Sequence, residues 1–331
     1  MRPFWLQQAL DSAQEAVCPP LQGDTRCDVC IVGGGYTGLW TALMLKEAVP
    51  ALDIVLIEAD ICGAGASGRN GGCALSWSAK YFTLERLFGV AEAVRLVRES
   101  ERSIGDIGTF CAANGIDCDY RLDGTLYTAT NAAQVGATDA VIAALEQKGI
   151  NSFRRLPLDL VQRLAGSARH LEGWFSPAAA TVQPGRLVRG LRRVALQRGV
   201  RIHEGTAMSG LEHGAPVQVR TAHGTVRADR VVLGLNAWMA RAFPQFERSV
   251  AIVSSDMVIT EPCPELLREI GLDSGISVLD SRIFVHYYHN TSDGRLMLGK
   301  GGNTFAYGGR MLPVFDQPSP YQPLLRESLG E

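Results

Sequence analysis

The chain lacks the long apolar runs and the dense basic clusters that mark two large classes of protein. No uninterrupted apolar stretch approaches the roughly 20 residues that a membrane-spanning helix needs. Its 32 Lys and Arg residues and 34 Asp and Glu residues give a net charge of −2, without a dense basic run. The N-terminal stretch MRPFWLQQALDSAQEA has early acids and no apolar signal core. We therefore expect no nucleic-acid surface, no membrane contact, a cytoplasmic location and a short amphipathic N-terminal segment.

Metal sites and disulfides also find little support. The eight cysteines are scattered, and the Cys27-x-x-Cys30 pair has no second pair or histidine at zinc spacing. We expect reduced, mostly buried thiols and no metal. The sequence also lacks a Ser/His/Asp or paired-carboxylate pattern for hydrolysis. With 331 residues, it has room for one large domain or two.

The stretch from Cys27 to Glu58 predicts a dinucleotide-binding unit. It reads as a buried strand, the glycine-rich turn Gly33-Gly34-Gly35-Tyr36-Thr37-Gly38, a helix and a second strand that ends on Glu58. In such a turn Gly33 permits the tight bend, Gly35 lets the backbone approach a pyrophosphate, and Gly38 lets helix and strand pack closely. The phosphates then lie at the positive end of the helix. Glu58, twenty positions after Gly38, is placed to accept hydrogen bonds from ribose hydroxyls.

A second glycine-rich loop follows, in which half of the residues from 63 to 72 are glycine. Such a loop is typical of backbone lying against a ligand, although a plain surface loop is the alternative. Its sequence, GAGASGRNGG, resembles the D-amino-acid oxidase/glycine oxidase superfamily of FAD enzymes, and most of all the gamma-glutamylputrescine-oxidase-like branch. The resemblance implies that FAD is the cofactor. The residues that would contact it are Ala66, Ser67, Arg69, Asn70, Gly71 and Gly72.

Two later segments carry the same resemblance. The stretch VQPGRLVRGLRRVALQRGVRIHEGTAMSG is similar to the family's second crossing of the FAD domain, which implies that Met208 contacts adenine through its backbone. The stretch ADRVVLGLNAW is similar to the returning strand, which implies that Asn236 lies near the cofactor.

The predicted fold class is α/β, with an α+β second domain. A discontinuous, Rossmann-like FAD-binding domain takes residues 1–82 and 155–242, and an inserted substrate domain of antiparallel strands takes 83–154 and 243–312. Within the insertion we expect a long helix over 83–113, broken near Gly89, and a hairpin about Asp123-Gly124. Residues 313–331 read as the start of a truncated C-terminal segment, and from the resemblance we expect the family's C-terminal return to the FAD domain to be missing.

In the family, the antiparallel sheet forms a roof over the flavin. Alternation along SRIFVHYYHN puts Ile283, Val285, Tyr287 and His289 on one face and Phe284, His286 and Tyr288 on the other. The alternation does not decide which face lines the substrate pocket. The candidate catalytic residues are Lys300, Tyr288 and His286. Lys300 would anchor an anionic substrate or favour electron transfer to oxygen.

The resemblance implies an FAD-dependent oxidoreductase that oxidises the C–N bond of a primary or secondary amine or an amino acid, by hydride transfer to flavin N5. Oxygen or another acceptor would reoxidise the flavin. The segments around Gly63–Gly72 and Lys300–Arg310 are most similar to aminophosphonate-oxidoreductase-like members, where a phosphonate would suit Lys300 and Arg310. The alternatives are an NAD-linked dehydrogenase and a non-catalytic fragment of such a flavoenzyme.

Overall fold

Two sheets of different character organise the protein. A computed structural model describes residues 2–12, 14–282, 284–308 and 310–330. Ile283, which we place on one face of a strand, lies outside the described residues.

The helices and strands alternate in the first half of the chain, and strands predominate in the second. The helices are α1 Phe4–Ser12, α2 Tyr36–Ala48, α3 Tyr81–Phe88, α4 Val90–Ala113, α5 Asp139–Glu146, α6 Leu158–Ala165, α7 Pro184–Gln197, α8 Met239–Ala242, α9 Pro264–Glu269 and α10 Gln322–Leu329. The strands are β1 Thr25–Val32, β2 Ile54–Ile57, β3 Cys73–Leu75, β4 Thr125–Ala129, β5 Arg154–Arg155, β6 Glu172–Ser176, β7 Ala179–Thr181, β8 Arg201–His203, β9 Met208–Glu212, β10 Val217–Thr221, β11 Thr225–Leu233, β12 Ile252–Ile259, β13 Ser277–Asp280, β14 His286–Asn290 and β15 Leu296–Ala306.

The first sheet has the strand order β8-β2-β1-β11-β10-β9. Its strands β8, β2, β1 and β11 are parallel, and β10 and β9 pair antiparallel at the edge. One face packs against α2 and α7 through a core that includes Ile31, Leu39, Leu43 and Leu191, each fully buried. This is the predicted Rossmann-like arrangement. The chain returns to the sheet in β11 next to β1, after a long excursion.

The second sheet has the order β12-β15-β14-β13-β4-β6-β5. Its pairs are antiparallel except for β4 with β13. The strand β6 belongs to this sheet, so the change of sheet does not coincide with the boundary that we predict at residue 155. The domain boundaries themselves stay predictions.

The predicted break in the long helix is confirmed, and the predicted hairpin is not. The long helix divides into α3 and α4 at Gly89, whose positive φ of 80° ends one helix and starts the other. The hairpin about Asp123-Gly124 is wrong. Gly124 does turn, with φ 86°, but Arg121 bridges to Thr181, whereas β4 enters the second sheet between β13 and β6.

The N-terminal helix α1 is a short helix with one buried face, as the sequence predicts. Its side chains Trp5, Leu6 and Ala9 are buried, and it packs on α7. The contact is close because residue 185 on α7 is glycine. A Cβ on Gly185 would lie 2.3 Å from the carbonyl oxygen of Trp5.

A buried ion-pair network, not anticipated from the sequence, ties α7 to the start of the second glycine-rich loop. The Glu204 carboxylate lies 2.9 Å from Arg189 Nη1 and 2.7 Å from Arg192 Nη2. It also accepts the backbone N–H of Cys62 at 2.8 Å. Paired charges with further hydrogen bonds are the form in which buried charges are tolerated. The network therefore fixes where the loop leaves β2.

Candidate active site

The glycine-rich turn follows β1 at the edge where the parallel strands end. Gly33 has a φ of 113°, and a Cβ there would lie 2.5 Å from the carbonyl oxygen of Gly234. A Cβ on Gly38 would lie 1.9 Å from the carbonyl oxygen of Gly33. Side chains at these two positions would therefore separate β1, β11 and α2. The glycines keep the backbone bare at the N-terminus of α2, where the first N–H groups have no intrahelical partner.

Glu58 reaches back to this turn from the end of β2. Its Oε2 accepts the N–H of Gly34 at 2.7 Å, and its Oε1 accepts the N–H of Asp60 at 3.0 Å. Burial raises the pKa of Glu58 above its usual value, while the two N–H groups oppose that rise. A carboxylate fixed beside a bare glycine turn fits the ribose and pyrophosphate of a dinucleotide. This cradle is the observation that supports FAD as the cofactor.

The second loop is folded against the first. Ser67 Oγ accepts the N–H of Tyr36 at 2.9 Å, and a Cβ on Gly35 would lie 2.9 Å from the same oxygen. Asn70 closes the loop on itself, because its Oδ1 accepts the N–H of Gly72 and its Nδ2 donates to the carbonyl of Ser67. The two loops that the sequence identified are thus in direct contact.

The other predicted cofactor residues vary in their placement. Thr37 lies in the first turn of α2, whereas the Tyr36 hydroxyl donates to the carbonyl of Pro184, on the helix side. Met208 begins β9 and packs on the apolar core of the first sheet. Asn236 has a positive φ of 45° just after β11. Ala66 begins a 3₁₀ turn in the loop and lines the cleft described next.

A cleft of about 480 Å³ opens between the second loop and β12. The loop contributes Ala66, Arg69 and Asn70, and the segment after β11 contributes Trp238, whose ring lies 3.5 Å from a Cβ built on Gly65. The residues after 310 also line it. There Arg69 Nη1 donates to the carbonyl of Phe315 at 3.2 Å and pairs with Asp316 at 3.0 Å. In this structure Arg69 is therefore held by the C-terminal segment.

The second sheet, called the roof sheet below, presents one face of β14 to the second loop. A Cβ on Gly71 would lie 2.3 Å from the Tyr287 ring, and His289 Nε2 lies 2.9 Å from the carbonyl oxygen of Gly71. The Tyr287 hydroxyl also lies 2.8 Å from Ser255 Oγ on β12. The face that carries Tyr287 and His289 is thus the face toward the glycine-rich loops.

The predicted catalytic residues lie on the opposite face. His286 pairs in register with Lys300, and Tyr288 pairs with Leu298, so their side chains alternate with that of Tyr287. Lys300 Nζ donates to Asn303 Oδ1 at 2.8 Å, and Tyr288 donates to the carbonyl of Ala165 at 2.6 Å. None of the three lies among the described residues that line the cleft. The structure brings His286 and Lys300 together as cross-strand neighbours outside the lining of the cleft. Asn303 links Lys300 to Asp256, which does line the cleft.

Tyr287 and Ser255 are not among the site residues predicted from the sequence, because alternation alone does not identify the inner face. One signal was available. Gly299 stands opposite Tyr287 in the β14–β15 register, and a Cβ there would lie 2.3 Å from the tyrosine ring. Glycine at position 299 leaves room for the Tyr287 ring on this face of the two strands.

Two further properties concern the rest of the chain. Among the described residues, no helix is both long and apolar enough to cross a bilayer. The same residues hold no group of three His, Cys, Asp or Glu side chains arranged for a metal ion. The eight cysteines are free thiols, six of them buried.

Comparison with known proteins agrees with the geometry. The chain is 32% identical over 287 residues to gamma-glutamylputrescine oxidoreductase of Escherichia coli. The aligned region covers 86% of this chain and 66% of that protein. It is 29% identical to the probable oxidoreductase OrdL of Rhizobium meliloti, covering 96% of this chain and 72% of the relative. The chain thus spans about two thirds of the length of these relatives.

Solved structures share the fold at lower identity. An L-amino acid deaminase from Proteus vulgaris superposes with a TM-score of 0.69 at 20% identity, over 96% of this chain and 75% of that one. Glycine oxidase from Geobacillus kaustophilus gives a TM-score of 0.66 at 20% identity, over 86% and 72%. The family of FAD-dependent oxidoreductases, DAO, matches residues 28–327. The chain belongs to this family of FAD-dependent oxidoreductases.

Proposed function

We propose that the protein oxidises the C–N bond of a small amine or amino acid. The observation that carries the proposal is the cleft itself. It lies between the second glycine-rich loop and the roof sheet, in a chain of a family named for its FAD dependence. The relatives named for gamma-glutamylputrescine and the structures named for amino acids and glycine support the substrate class.

The cofactor would be held by the first loop and by Glu58, with Gly34 and Gly35 against its phosphates. When bound, FAD supplies an acceptor for the hydride that leaves the carbon next to nitrogen. The protein's own contribution is to orient and desolvate the substrate. Tyr287, whose hydroxyl contacts Ser255, would hold the second loop against the sheet, and Met257 and Trp238 would give the cleft apolar walls.

The charges of the cleft suit such substrates. The carboxylates of Asp256 and Asp316 line it together with the guanidinium groups of Arg2 and Arg69. Arg69 pairs with Asp316 and Arg2 pairs with Asp60, whereas Asp256 accepts hydrogen bonds from the neutral side chains of Ser254 and Asn303. The Asp256 carboxylate would therefore attract the ammonium group of a substrate. A phosphonate substrate depends instead on Lys300 and Arg310. Neither is among the described residues that line the cleft, so a carboxylate or uncharged amine is the substrate that we favour.

Family membership argues against the NAD-linked alternative, and the electron acceptor stays a prediction, as does the cytoplasmic location. A decisive experiment adds FAD to the purified chain and then titrates a panel of amines and amino acids without oxygen. Binding should quench flavin fluorescence, and a substrate should bleach the absorbance bands. Bleaching by NADH alone, with no amine active, would contradict the proposal.

The fragment alternative requires its own control. Flavin stoichiometry should be compared between this chain and a version extended by the downstream reading frame. Equal occupancy with bleaching in both forms supports an enzyme in this chain. An empty short form beside an occupied long form would restrict the activity to the longer protein.

A further inference from the structure

A second cavity, of about 160 Å³, lies against the outer face of the roof sheet. It is the face that carries His286 and Tyr288, away from the glycine-rich loops. Leu272, Leu296 and Leu298 give it apolar walls, and His170 and Asp280 stand among its polar ones. At about 30 Å³ for each water molecule, the space corresponds to about five waters. The cavity is larger than one water molecule needs and too small for an amine substrate with a long chain.

The hydrogen bonds of His170 fix which of its ring nitrogens carries the proton. The Tyr288 hydroxyl has one hydrogen, and it donates that hydrogen to the carbonyl of Ala165 at 2.6 Å. His170 Nε2 lies 3.0 Å from the same hydroxyl oxygen, so Nε2 must be the donor of that bond. Burial lowers the pKa of His170 to about 4, which keeps the ring neutral. Its Nδ1 is therefore a bare acceptor.

That acceptor is unsatisfied. His170 is 4% exposed, and its Nδ1 is buried without a hydrogen-bond partner in the described structure. Buried polar atoms without partners are rare, and each requires an explanation such as a bound group. Only a hydrogen-bond donor can satisfy His170 Nδ1.

Asp280 supplies a second unsatisfied acceptor in the same cavity. Its Oδ1 accepts the backbone N–H groups of Arg282 and His286, and the residue is 7% exposed. Its Oδ2 lies 2.7 Å from Arg282 Nε, yet the geometry leaves Oδ2 without a hydrogen bond. A carboxylate oxygen has two acceptor positions, so a ligand N–H can share Oδ2 with the ion pair.

We propose that this cavity binds a small primary alkylammonium ion. Its N–H groups would donate to His170 Nδ1 and Asp280 Oδ2, and its alkyl part would lie against the leucine side chains. Both unsatisfied atoms are acceptors, so the ligand must be an N–H donor, and a charged donor makes the stronger hydrogen bond to a carboxylate oxygen. Arg169 and Arg282 also line the cavity, and the bond to Asp280 must outweigh their repulsion of a cation. The volume limits the ligand to about five non-hydrogen atoms. The site needs neither FAD nor turnover, so it stands apart from the function proposed above.

The test is a titration of the full chain, labelled with ¹⁵N-histidine, at pH 7.5. Methylammonium chloride is the ligand, and tetramethylammonium chloride is the control, because it has the same charge and no N–H donor. We expect the His170 Nδ1 signal to shift saturably with methylammonium and not with tetramethylammonium. Before any addition, the spectrum should show the Nε2–H tautomer.

Three variants of the cavity and one control variant sharpen the result. His170→Phe and Asp280→Asn should weaken methylammonium binding at least tenfold, observed through the remaining cavity resonances. Tyr288→Phe removes the group that fixes the tautomer and should allow a proton on Nδ1. His213→Phe, an exposed histidine elsewhere, is the matched control and should bind as the wild type does.

Several outcomes would overturn the proposal. They are a shift that does not saturate, an equal response to tetramethylammonium, a starting spectrum with the proton on Nδ1, or unchanged binding in folded His170→Phe. If the variants fail to fold, the contrast between the two ammonium ions in the wild type decides alone. Absence of that contrast would mean that an ordered water molecule, and not an ammonium ion, donates the hydrogen bond to His170 Nδ1.

Discussion

The Cε2 edge of the Tyr287 ring lies against Gly71, so closely that a Cβ on Gly71 would be 2.3 Å from Tyr287 Cε2. His289, one pleat along β14, holds the carbonyl of the same glycine at 2.9 Å. The roof sheet and the second glycine-rich loop are therefore joined at one residue. A side chain at position 71 would push them apart.

We expect Gly71→Ala to destabilise the protein by about 1–3 kcal/mol, the usual cost of overpacking. The same change in a Tyr287→Ala background should cost less, because the obstructing ring is gone. Urea unfolding of the four proteins in this double-mutant cycle measures the coupling. Additive costs would show that the Gly71–Tyr287 contact does not set the distance between loop and roof.

The glycine at position 35 has a different task. Gly35→Val should weaken FAD binding by about two orders of magnitude, since its side chain would meet Ser67 Oγ and cover the N–H groups at the start of α2. Gly105→Val on α4 is the matched control, because a Cβ at Gly105 meets nothing within 4 Å. Fluorescence titration with FAD gives both affinities. Equal affinities would contradict the assignment of the phosphates to this turn.

The strand–turn–helix–strand unit that begins the first sheet could be predicted because its signals are local, whereas the second loop and the return of β11 were predicted through the family resemblance. A buried strand that runs into G-x-G-x-x-G and an acid twenty residues after Gly38 form one unit of chain, with each contact set by short-range geometry. The split of the long helix at Gly89 was equally local, since a positive φ favours glycine.

The hairpin prediction was wrong, and the inner face of β14 could not be predicted, because both depend on contacts between distant parts of the chain. The Asp123-Gly124 turn was seen, but nothing near it indicates that β4 pairs with β13, some 150 residues later. Likewise, alternation separates Tyr287 from Tyr288 without saying which one faces the loop. That depends on how the whole sheet is placed over the first domain.

Adjacent tyrosines on β14 allow a direct test of this face assignment. Tyr287→Phe removes the hydroxyl that contacts Ser255, on the side of the glycine-rich loops. We expect it to shift the absorbance bands of bound flavin, whereas Tyr288→Phe, on the outer face, should leave them in place. Difference spectra of the two FAD-loaded variants measure this. A shift in Tyr288→Phe alone would place the outer face, with His286 and Lys300, toward the cofactor.

His170 should make the protein less stable in mild acid. Its pKa falls from the ordinary 6.5 to about 4 in the folded protein, mainly by burial. Between these values the unfolded chain binds a proton that the folded protein does not, so the free energy of unfolding drops as the pH falls from about 6.5 to about 4. The full drop is about 3 kcal/mol, at about 1.4 kcal/mol for each pH unit.

His170→Phe lacks this contribution, and the Tyr288 hydroxyl keeps its bond to Ala165. Urea unfolding at pH 7, 6, 5 and 4.5 should therefore give a steeper loss of stability in the wild type than in the variant, with His213→Phe following the wild type. Parallel curves for all three proteins would mean that His170 titrates alike in the folded and unfolded chains, and that its ring is not sealed from water.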